Sequence, residues 1–233
     1  MEALILAAGE GKRMGLNYPK SLLKIGNVSI LERLIRQFRE LGIEKTTLVT
    51  GFGKELIYEK LLGIELVPVF NPFYKISDNL VSFWLGADKI EDDCIMTHAD
   101  LVVEQSLPAS LLKAKSDICL PVDKSSMNEE SMKFRLEGDK IVDIGKAIPL
   151  EAASGESVPM MKFSRKALKA LHELSGDLIE KGKYDSLLEE PLLSIIKTEK
   201  FSVDLIDVSG KKWIEIDGPA DYISAKKLFA DHD

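Results

Sequence analysis

Hydrophobic positions recur along the chain at two spacings, one typical of strands and one typical of helices. Ala3–Ala7 is a short apolar run that stops at a glycine-rich segment, as buried strands do. Over Ile30–Leu41 the apolar residues follow helical spacing, and Gly42 is a typical helix end. Ser29 and Glu32 form a capping-box pattern at the start of this segment. The pattern therefore predicts a buried strand followed by an amphipathic helix.

Strand-like and helix-like segments continue to alternate through the first half of the chain. The spacing predicts strands at Thr46–Thr50, Glu65–Phe70 and Cys94–Thr97, and a helix at Asn79–Ile90. This alternation predicts an α/β fold, in which a mixed, mostly parallel sheet carries helices on both faces.

The second half is less regular and richer in strands. Strands are predicted at 118–122, 132–136, 140–144, 202–208 and 213–216, and helices at 165–174, 187–196 and 219–230. Residues 137–139 read Glu-Gly-Asp, a hairpin signal between two of these strands. No repeat or Pro/Ser-rich linker separates the halves. We therefore predict one domain over 1–233, with a core at 1–122 and a β-rich part with closing helices at 123–233.

Composition narrows the functional classes. The 233 residues are 45% apolar and 30% charged, as in ordinary globular proteins, and the net charge of −7 argues against a nucleic-acid partner. No apolar run reaches the roughly 20 residues of a membrane span, and the first eight residues are too short for a secretory leader. Two isolated cysteines and three scattered histidines predict neither a disulfide framework nor a Cys/His metal site. This cysteine usage fits the cytoplasm.

The charge is unevenly distributed. Residues 1–60 contain ten Lys and Arg against seven Asp and Glu, so this segment is positive while the remainder is strongly negative. A positive segment at the start of the chain suits an anionic ligand.

The segment after the first strand, LAAGEGKRMG, is the most informative motif. Glycines after a buried strand let backbone N–H groups approach a phosphate, and Lys12 and Arg13 add positive charge there. A simple glycine-rich turn is the alternative. A dinucleotide fingerprint needs a third glycine where Met14 stands, and no Walker P-loop string is present, so both of those readings are disfavoured. Lys20, held by a preceding proline in the same loop, is a second candidate for a phosphate contact.

Several motifs, in order, resemble those of nucleotidyltransferases that join NTPs to phosphorylated sugars and alcohols. LAAGEGKRMG and PKSLLKIG resemble the N-terminal signature of that family, and NPFYKISDNLVSFWL is similar to a segment of its phosphocholine and 2-aminoethylphosphonate cytidylyltransferase branch. IMTHADLVVE, KIVDIGKAI, SGESVPMMKFS and KKWIEIDGPADYISAKKL resemble later segments of the family. The resemblance covers nearly the whole chain. It implies the Rossmann-like fold shared with family A glycosyltransferases, with nucleotide binding by 1–122 and acceptor binding by 123–233.

The resemblance also implies residue roles. Arg13 and Lys20 would be catalytic, acting on the charge that moves during transfer. The nucleotide-binding residues would be Leu6, Ala7, Ala8, Gly9, Gly11, Lys12, Arg13, Lys20, Gly51, Asn79, Ser82 and Ala99. Lys133, Lys146, Glu156 and Asp123 would bind the acceptor.

Asp100 and Asp217 each follow an apolar strand, and carboxylates at strand ends suit Mg²⁺. The resemblance implies that these two aspartates hold this cofactor, although each could instead cap a turn or helix. Two departures from the branch pattern are Asp78 where an asparagine is common and Pro159 where a glycine is common. His98 is interpreted as structural, and contact with a metal-bound water is the alternative.

The acceptor is left open by the sequence. A cationic head group would need aromatic or acidic neighbours, and the candidates are Tyr74, Trp213, Asp123 and Glu156. Phe83 and Trp84 are interpreted as core. A sugar or inositol 1-phosphate would need hydroxyl-binding Asn, Asp and Glu. Cytidylyl transfer is favoured by the branch resemblance, which also implies CTP and a small phosphorylated acceptor as partners. A catalytically silent nucleotide-binding subunit and an NAD-dependent oxidoreductase are the alternatives from other classes, and a homodimer is a hypothesis.

Overall fold

The computed structural model describes residues 1–125 and 127–230, and within them it contains fourteen strands and seven α-helices. The strands are β1 (Glu2–Ala7), β2 (Lys24–Ile25), β3 (Val28–Ser29), β4 (Thr46–Thr50), β5 (Val67–Phe70), β6 (Cys94–His98), β7 (Leu101–Val103), β8 (Ile118–Asp123), β9 (Lys133–Glu137), β10 (Lys140–Gly145), β11 (Gly155–Ser157), β12 (Met160–Phe163), β13 (Val203–Asp207) and β14 (Trp213–Glu215). The helices are α1 (Ile30–Glu40), α2 (Lys54–Lys60), α3 (Asn79–Ala87), α4 (Ser106–Leu112), α5 (Arg165–Glu180), α6 (Glu189–Lys197) and α7 (Pro219–Leu228).

One mixed sheet of ten strands organises the chain. Its order is β10-β9-β11-β8-β12-β6-β1-β4-β5, and β13 also pairs with β8. The neighbours β6, β1, β4 and β5 are parallel, whereas β8 to β12 pair with one another and with β6 in antiparallel fashion. Because the antiparallel strands extend the same sheet, both halves of the chain share one continuous framework. Strands β7 and β14 form a separate antiparallel pair, in which Trp213 lies opposite Val103.

Apolar residues on the two faces of the sheet form two cores. Alternate residues of β1 point to opposite sides, so Ala3 and Ile5 pack against α1, α2, α4 and α7 while Leu4 and Leu6 pack against α3, α5 and α6. A strand buried on both faces reads as a continuous apolar run, which explains the composition of the first strand.

The predicted α/β fold with helices on both faces is confirmed. The capping box at α1 forms as predicted, since the Ser29 hydroxyl accepts from the Glu32 amide and the Glu32 carboxylate accepts from the Ser29 amide. The predicted hairpin is β9–β10, and Gly138 in its turn adopts φ +61°, where glycine is favoured. In the described residues, no helix is long and apolar enough to cross a membrane.

Other elements gave weaker signals. The spacing did not locate α4, and it missed the short strands β11 and β12 on either side of Pro159. These elements are only three to seven residues long and lack a full period of apolar residues. Helix α5 also runs six residues past its predicted end at 174, to Glu180.

Helix α3 packs on β1 and β4 at Gly86, and its first residue, Asn79, lines a cleft near the carboxyl end of β1. A Cβ atom at Gly86 would lie 2.5 Å from Leu4 Cδ1 and 2.6 Å from Val49 Cγ2. Gly86→Ala should therefore destabilise the fold by about 1–3 kcal/mol, despite the better helix propensity of alanine. Chemical denaturation measures this change.

The matched test is the double variant Gly86→Ala with Val49→Ala, which removes one clashing methyl group. The loss in free energy of unfolding of the double variant should be smaller than the sum of the losses of the two single variants. Strict additivity would show that the helix does not rest on this contact.

Candidate active site

A cleft of about 1160 Å³ opens beside the carboxyl ends of β1 and β6 and reaches across to β14 and the start of α6. The ends of open parallel strands are where ligands bind in α/β folds. Most of the residues that the sequence singled out line this cleft: Leu6, Ala8, Gly9, Gly11, Lys12, Arg13, Lys20, Asn79, Ser82, Asp100, Asp123, Lys146, Glu156 and Asp217.

The glycine-rich loop follows β1 directly and lies against the Lys20 side chain. Gly11 has φ +61°, and a Cβ atom there would lie 2.5 Å from Lys20 Cγ. A glycine at this position is therefore required both by the backbone and by the lysine that crosses it. Arg13 stands on the following 3-10 turn, Lys12–Met14, with its side chain 62% exposed.

Lys20 connects the two aspartates. Its Nζ lies 2.8 Å from Asp100 Oδ2 and 3.3 Å from Asp217 Oδ1, and it donates to the Ile216 carbonyl at 2.9 Å. Arg13 contacts the same Asp217 oxygen at 2.7 Å. Two cations and two carboxylates from distant parts of the chain therefore meet at one end of the sheet.

The carboxylates keep Lys20 charged. Burial lowers the pKa of the Lys20 ammonium, but the charges and hydrogen bonds of Asp100 and then Asp217 outweigh it, so the pKa is raised above its usual value. A fixed positive charge inside a cleft is suited to holding phosphate groups.

The aspartates fit a hard divalent cation. Asp100 Oδ1 is buried and has no hydrogen-bond partner among the described residues. Asp221 takes over the capping of α7, because its carboxylate accepts from the amides of Asp217 and Gly218. The Asp217 carboxylate is therefore available to the cleft rather than used as a cap. Carboxylate oxygens are the ligands that Mg²⁺ prefers.

A second group, His98 with Asp100 and Glu215, also brings metal-binding atoms within 4.8 Å of one another. Both ring nitrogens of His98 have polar neighbours, however: Glu215 Oε1 lies 3.3 Å from Nδ1, and the Asn79 amide lies 3.4 Å from Nε2. Burial lowers the pKa of His98, but Glu215, Asp100 and Glu189 raise it to about 9. His98 with Glu215 is therefore best described as a half-buried ion pair beside the aspartate, and its structural role stays a prediction.

Amide side chains shape the cleft wall opposite Lys20. Asn71 Nδ2 donates to Ser82 Oγ at 3.0 Å, and Asn79 Oδ1 accepts from the Leu188 amide at 2.9 Å. Asp78 caps α3 by accepting from the Asn79 amide. Asn79 therefore ties α3 to the start of α6, a role that its sequence position alone did not indicate.

The predicted acceptor residues divide into two groups. Glu156 and the exposed Lys146 line the cleft, and burial, followed by the charges of Asp123 and Glu215, raises the pKa of Glu156. Asp123 forms the second group, because its carboxylate is used in hydrogen bonds to other residues. Its Oδ2 accepts from Trp213 Nε1 at 2.7 Å, and its Oδ1 accepts from the Ser125 amide.

Lys133 does not reach the cleft. It is fully buried, and its ammonium donates to the backbone carbonyls of Glu129 at 2.8 Å and Ser131 at 3.0 Å. The ammonium of Lys133 therefore lies behind the cleft wall, because strand alternation turns this residue of β9 inward. Glu156 is its β-sheet neighbour and lines the cleft.

Three other predicted residues lie behind the cleft wall. Ala7 ends β1, the Ala99 amide donates to the Leu6 carbonyl, and the Phe52 amide donates to the Ala8 carbonyl next to Gly51. A Cβ atom at Gly51 would lie 2.5 Å from Ala8 O and 2.6 Å from Tyr74 Cβ. These residues support the loop rather than line the cleft. Glu189 and Glu215, which do line it, were missed, since an acidic residue in a helix or strand gives no signal by itself.

Comparison with known proteins identifies the family of the chain. A family model described as a MobA-like NTP transferase domain matches residues 3–192. The "Bifunctional IPC transferase and DIPP synthase" of Rubrobacter xylanophilus is 28% identical over 94% of this chain, and the chain spans about half, 50%, of that protein's length. The "CTP:phosphoglutamine cytidylyltransferase" of Campylobacter jejuni is 24% identical, with 95% of this chain and 97% of that protein covered.

Solved structures share the fold. The inositol-1-phosphate CTP transferase from T. maritima superposes with a TM-score of 0.80 at 24% identity, covering 99% of this chain and 96% of that chain. The CTP:phosphocholine cytidylyltransferase from Streptococcus pneumoniae gives 0.77 at 20% identity, with 98% of each chain covered. At these identities the likeness establishes the fold alone.

The contacts of Lys20 generate a prediction about metal affinity. In Lys20→Met the positive charge between Asp100 and Asp217 is lost while the aliphatic chain is kept. The affinity for Mn²⁺ without nucleotide should therefore rise about tenfold or more, since a cation no longer repels the metal at a few ångströms. Electron paramagnetic resonance of free Mn²⁺ measures this binding.

The control is Lys24→Met, which removes an exposed lysine of β2 and should leave the affinity unchanged. An equal response of the two variants would mean that Lys20 does not control the site.

Proposed function

We propose that the chain, which belongs to the MobA-like NTP transferase domain family, is a Mg²⁺-dependent cytidylyltransferase. It would join CTP to a small phosphorylated amino-alcohol or phosphonate and release pyrophosphate. The observation that carries this proposal is the meeting of Arg13, Lys20, Asp100 and Asp217 at one end of the sheet.

Nucleotidyl transfer requires little covalent help from a protein. An oxygen of the acceptor phosphate or phosphonate attacks the α-phosphorus of the NTP, and the bond from that phosphorus to the bridging oxygen of pyrophosphate breaks. The electron pair of that bond leaves with pyrophosphate. The attacking oxygen is already an anion, so the main tasks are to bring two anions together and to stabilise the charge that moves.

The residues of the cleft match those tasks. Backbone amides of the loop at Gly9 and Gly11 would bind phosphate oxygens, and Arg13, which is exposed, would close on the β- and γ-phosphates. Lys20 is fixed deeper in the cleft and would stabilise charge at the α-phosphate and the leaving pyrophosphate. Asp100 and Asp217 would hold Mg²⁺, which when bound supplies charge neutralisation and Lewis-acid polarisation of phosphate oxygens.

The choice of CTP is supported by relatives and structural neighbours, several of which use CTP. Their acceptors differ, being phosphoglutamine, inositol 1-phosphate and phosphocholine. Inositol 1-phosphate, or a sugar 1-phosphate, is therefore the second candidate acceptor. A silent nucleotide-binding subunit is disfavoured because the cations and carboxylates needed for transfer are present and adjacent. The nucleotide-binding and acceptor-binding roles of the cleft residues, and the homodimer, stay predictions.

Pyrophosphate release tests the proposed function. The protein with CTP, Mg²⁺ and a panel of phosphorylated acceptors should release pyrophosphate with at least one of them. Asp100→Asn and Asp217→Asn should each lower kcat/KM by about a thousandfold, the equivalent of several kcal/mol of electrostatic stabilisation.

Asp204→Asn is the matched control, because Asp204 is an exposed aspartate of β13 away from the cleft. It should retain wild-type activity. No release with any pair, or full activity in Asp100→Asn, would refute the proposal.

A further inference from the structure

Glu189 is a buried carboxylate that the proposed transfer chemistry does not use. It begins α6 and is 8% exposed, yet it lines the cleft. Its Oε2 is buried and has no hydrogen-bond partner among the described residues. One oxygen of this buried carboxylate therefore lacks a partner among the described residues, which is costly unless a ligand, an ion or water supplies one.

Several charged groups surround Glu189. Burial raises the pKa of Glu189, His98 lowers it, and the charges of Asp78 and Glu215 raise it further. Glu156, with its own raised pKa, lines the same cleft. A cation bound beside Glu189 would lower this pKa and keep the carboxylate charged.

A recess of about 440 Å³ adjoins the cleft at Glu189. Met132, Leu187 and Glu189 line both cavities, and Ile144 and Leu193 form the rest of the apolar wall of the recess. The recess is mostly apolar, although Gly145, Glu190 and Ser194 also line it, and Glu189 lies where it meets the cleft. A ligand that fits it needs positive charge at the entrance and apolar surface beyond it.

The position of Glu189 is fixed from the cleft side. Asn79 accepts from the amide of Leu188, the residue just before α6, and its Nδ2 lies 3.4 Å from His98 Nε2. The helix start is therefore anchored to the wall that ends at Asp100, the candidate metal ligand. A group held at Glu189 would belong to a substrate whose other end lies near that aspartate.

We propose that Glu189 and the recess bind the head group of the acceptor, and that this head group is an ammonium carrying alkyl substituents. The assignment rests on the proposed function, and it specifies the acceptor class within it. A charged nitrogen would supply the missing partner of Glu189 Oε2, and its alkyl groups would occupy the apolar recess. A polyol such as inositol would bury hydroxyl groups against Leu187 and Leu193 without partners, which costs free energy.

Calorimetric titration and steady-state kinetics test this assignment with three probes: phosphocholine, phosphoethanolamine and inositol 1-phosphate. In the wild type, phosphocholine should bind most tightly. Glu189→Gln should weaken phosphocholine binding and raise its KM at least about tenfold, leaving the KM for CTP unchanged. The thermal midpoint should not fall, because the variant removes an unpaired buried charge. A purely structural role would instead lower the midpoint and affect CTP as well.

Two further variants complete the test. Glu173→Gln removes an exposed glutamate of α5 and should change neither parameter. Leu193→Gln makes the recess polar and should reduce the preference for phosphocholine over phosphoethanolamine by several-fold.

The assignment is overturned if Glu189→Gln alters phosphocholine and inositol 1-phosphate equally, or if the wild type binds inositol 1-phosphate more tightly. Glu189-dependent phosphocholine binding without pyrophosphate release would uphold the subsite and refute the cytidylyltransferase. Pyrophosphate release with inositol 1-phosphate alone would refute the subsite and uphold the cytidylyltransferase.

Discussion

The structure depends on one electrostatic constraint, the placement of the Lys20 ammonium between the carboxylates of Asp100 and Asp217. Three segments far apart in sequence must be brought within a few ångströms of one another to satisfy it. Each aspartate follows a strand, and the lysine lies in the loop that leaves the first strand. Because Lys20 is largely buried, none of the three charges could be left alone in the cleft without a considerable desolvation cost.

The sheet is what makes this constraint possible. The order β6-β1-β4 places the glycine-rich loop beside the end of β6, and the β7–β14 pair carries the Asp217 segment back across to Asp100. The antiparallel strands on the other side of β6 supply the wall that faces the loop. The fold therefore brings Arg13 and Lys20 from the beginning of the chain to Asp100 and Asp217 from its remainder.

Much of this arrangement was predictable from the sequence, and the reasons are physical. Long apolar runs and a capping box specify β1 and α1 locally, and aspartates directly after strands point to a common edge of a parallel sheet. Three features were not predictable: the burial of Lys133, the bridging role of Asn79 and the position of Glu189 in the cleft wall. Each depends on which side of a strand or helix faces which neighbour, and that is decided by long-range packing rather than by local spacing.

The fate of the phosphates of CTP shows whether the cleft transfers a nucleotidyl group. The protein should be incubated with Mg²⁺, an acceptor and CTP labelled with ³²P at either the α- or the γ-phosphate. Nucleotidyl transfer should place the α label in an acceptor-linked product and the γ label in pyrophosphate. A γ label on the acceptor, or no transfer of either label, would rule out nucleotidyl transfer.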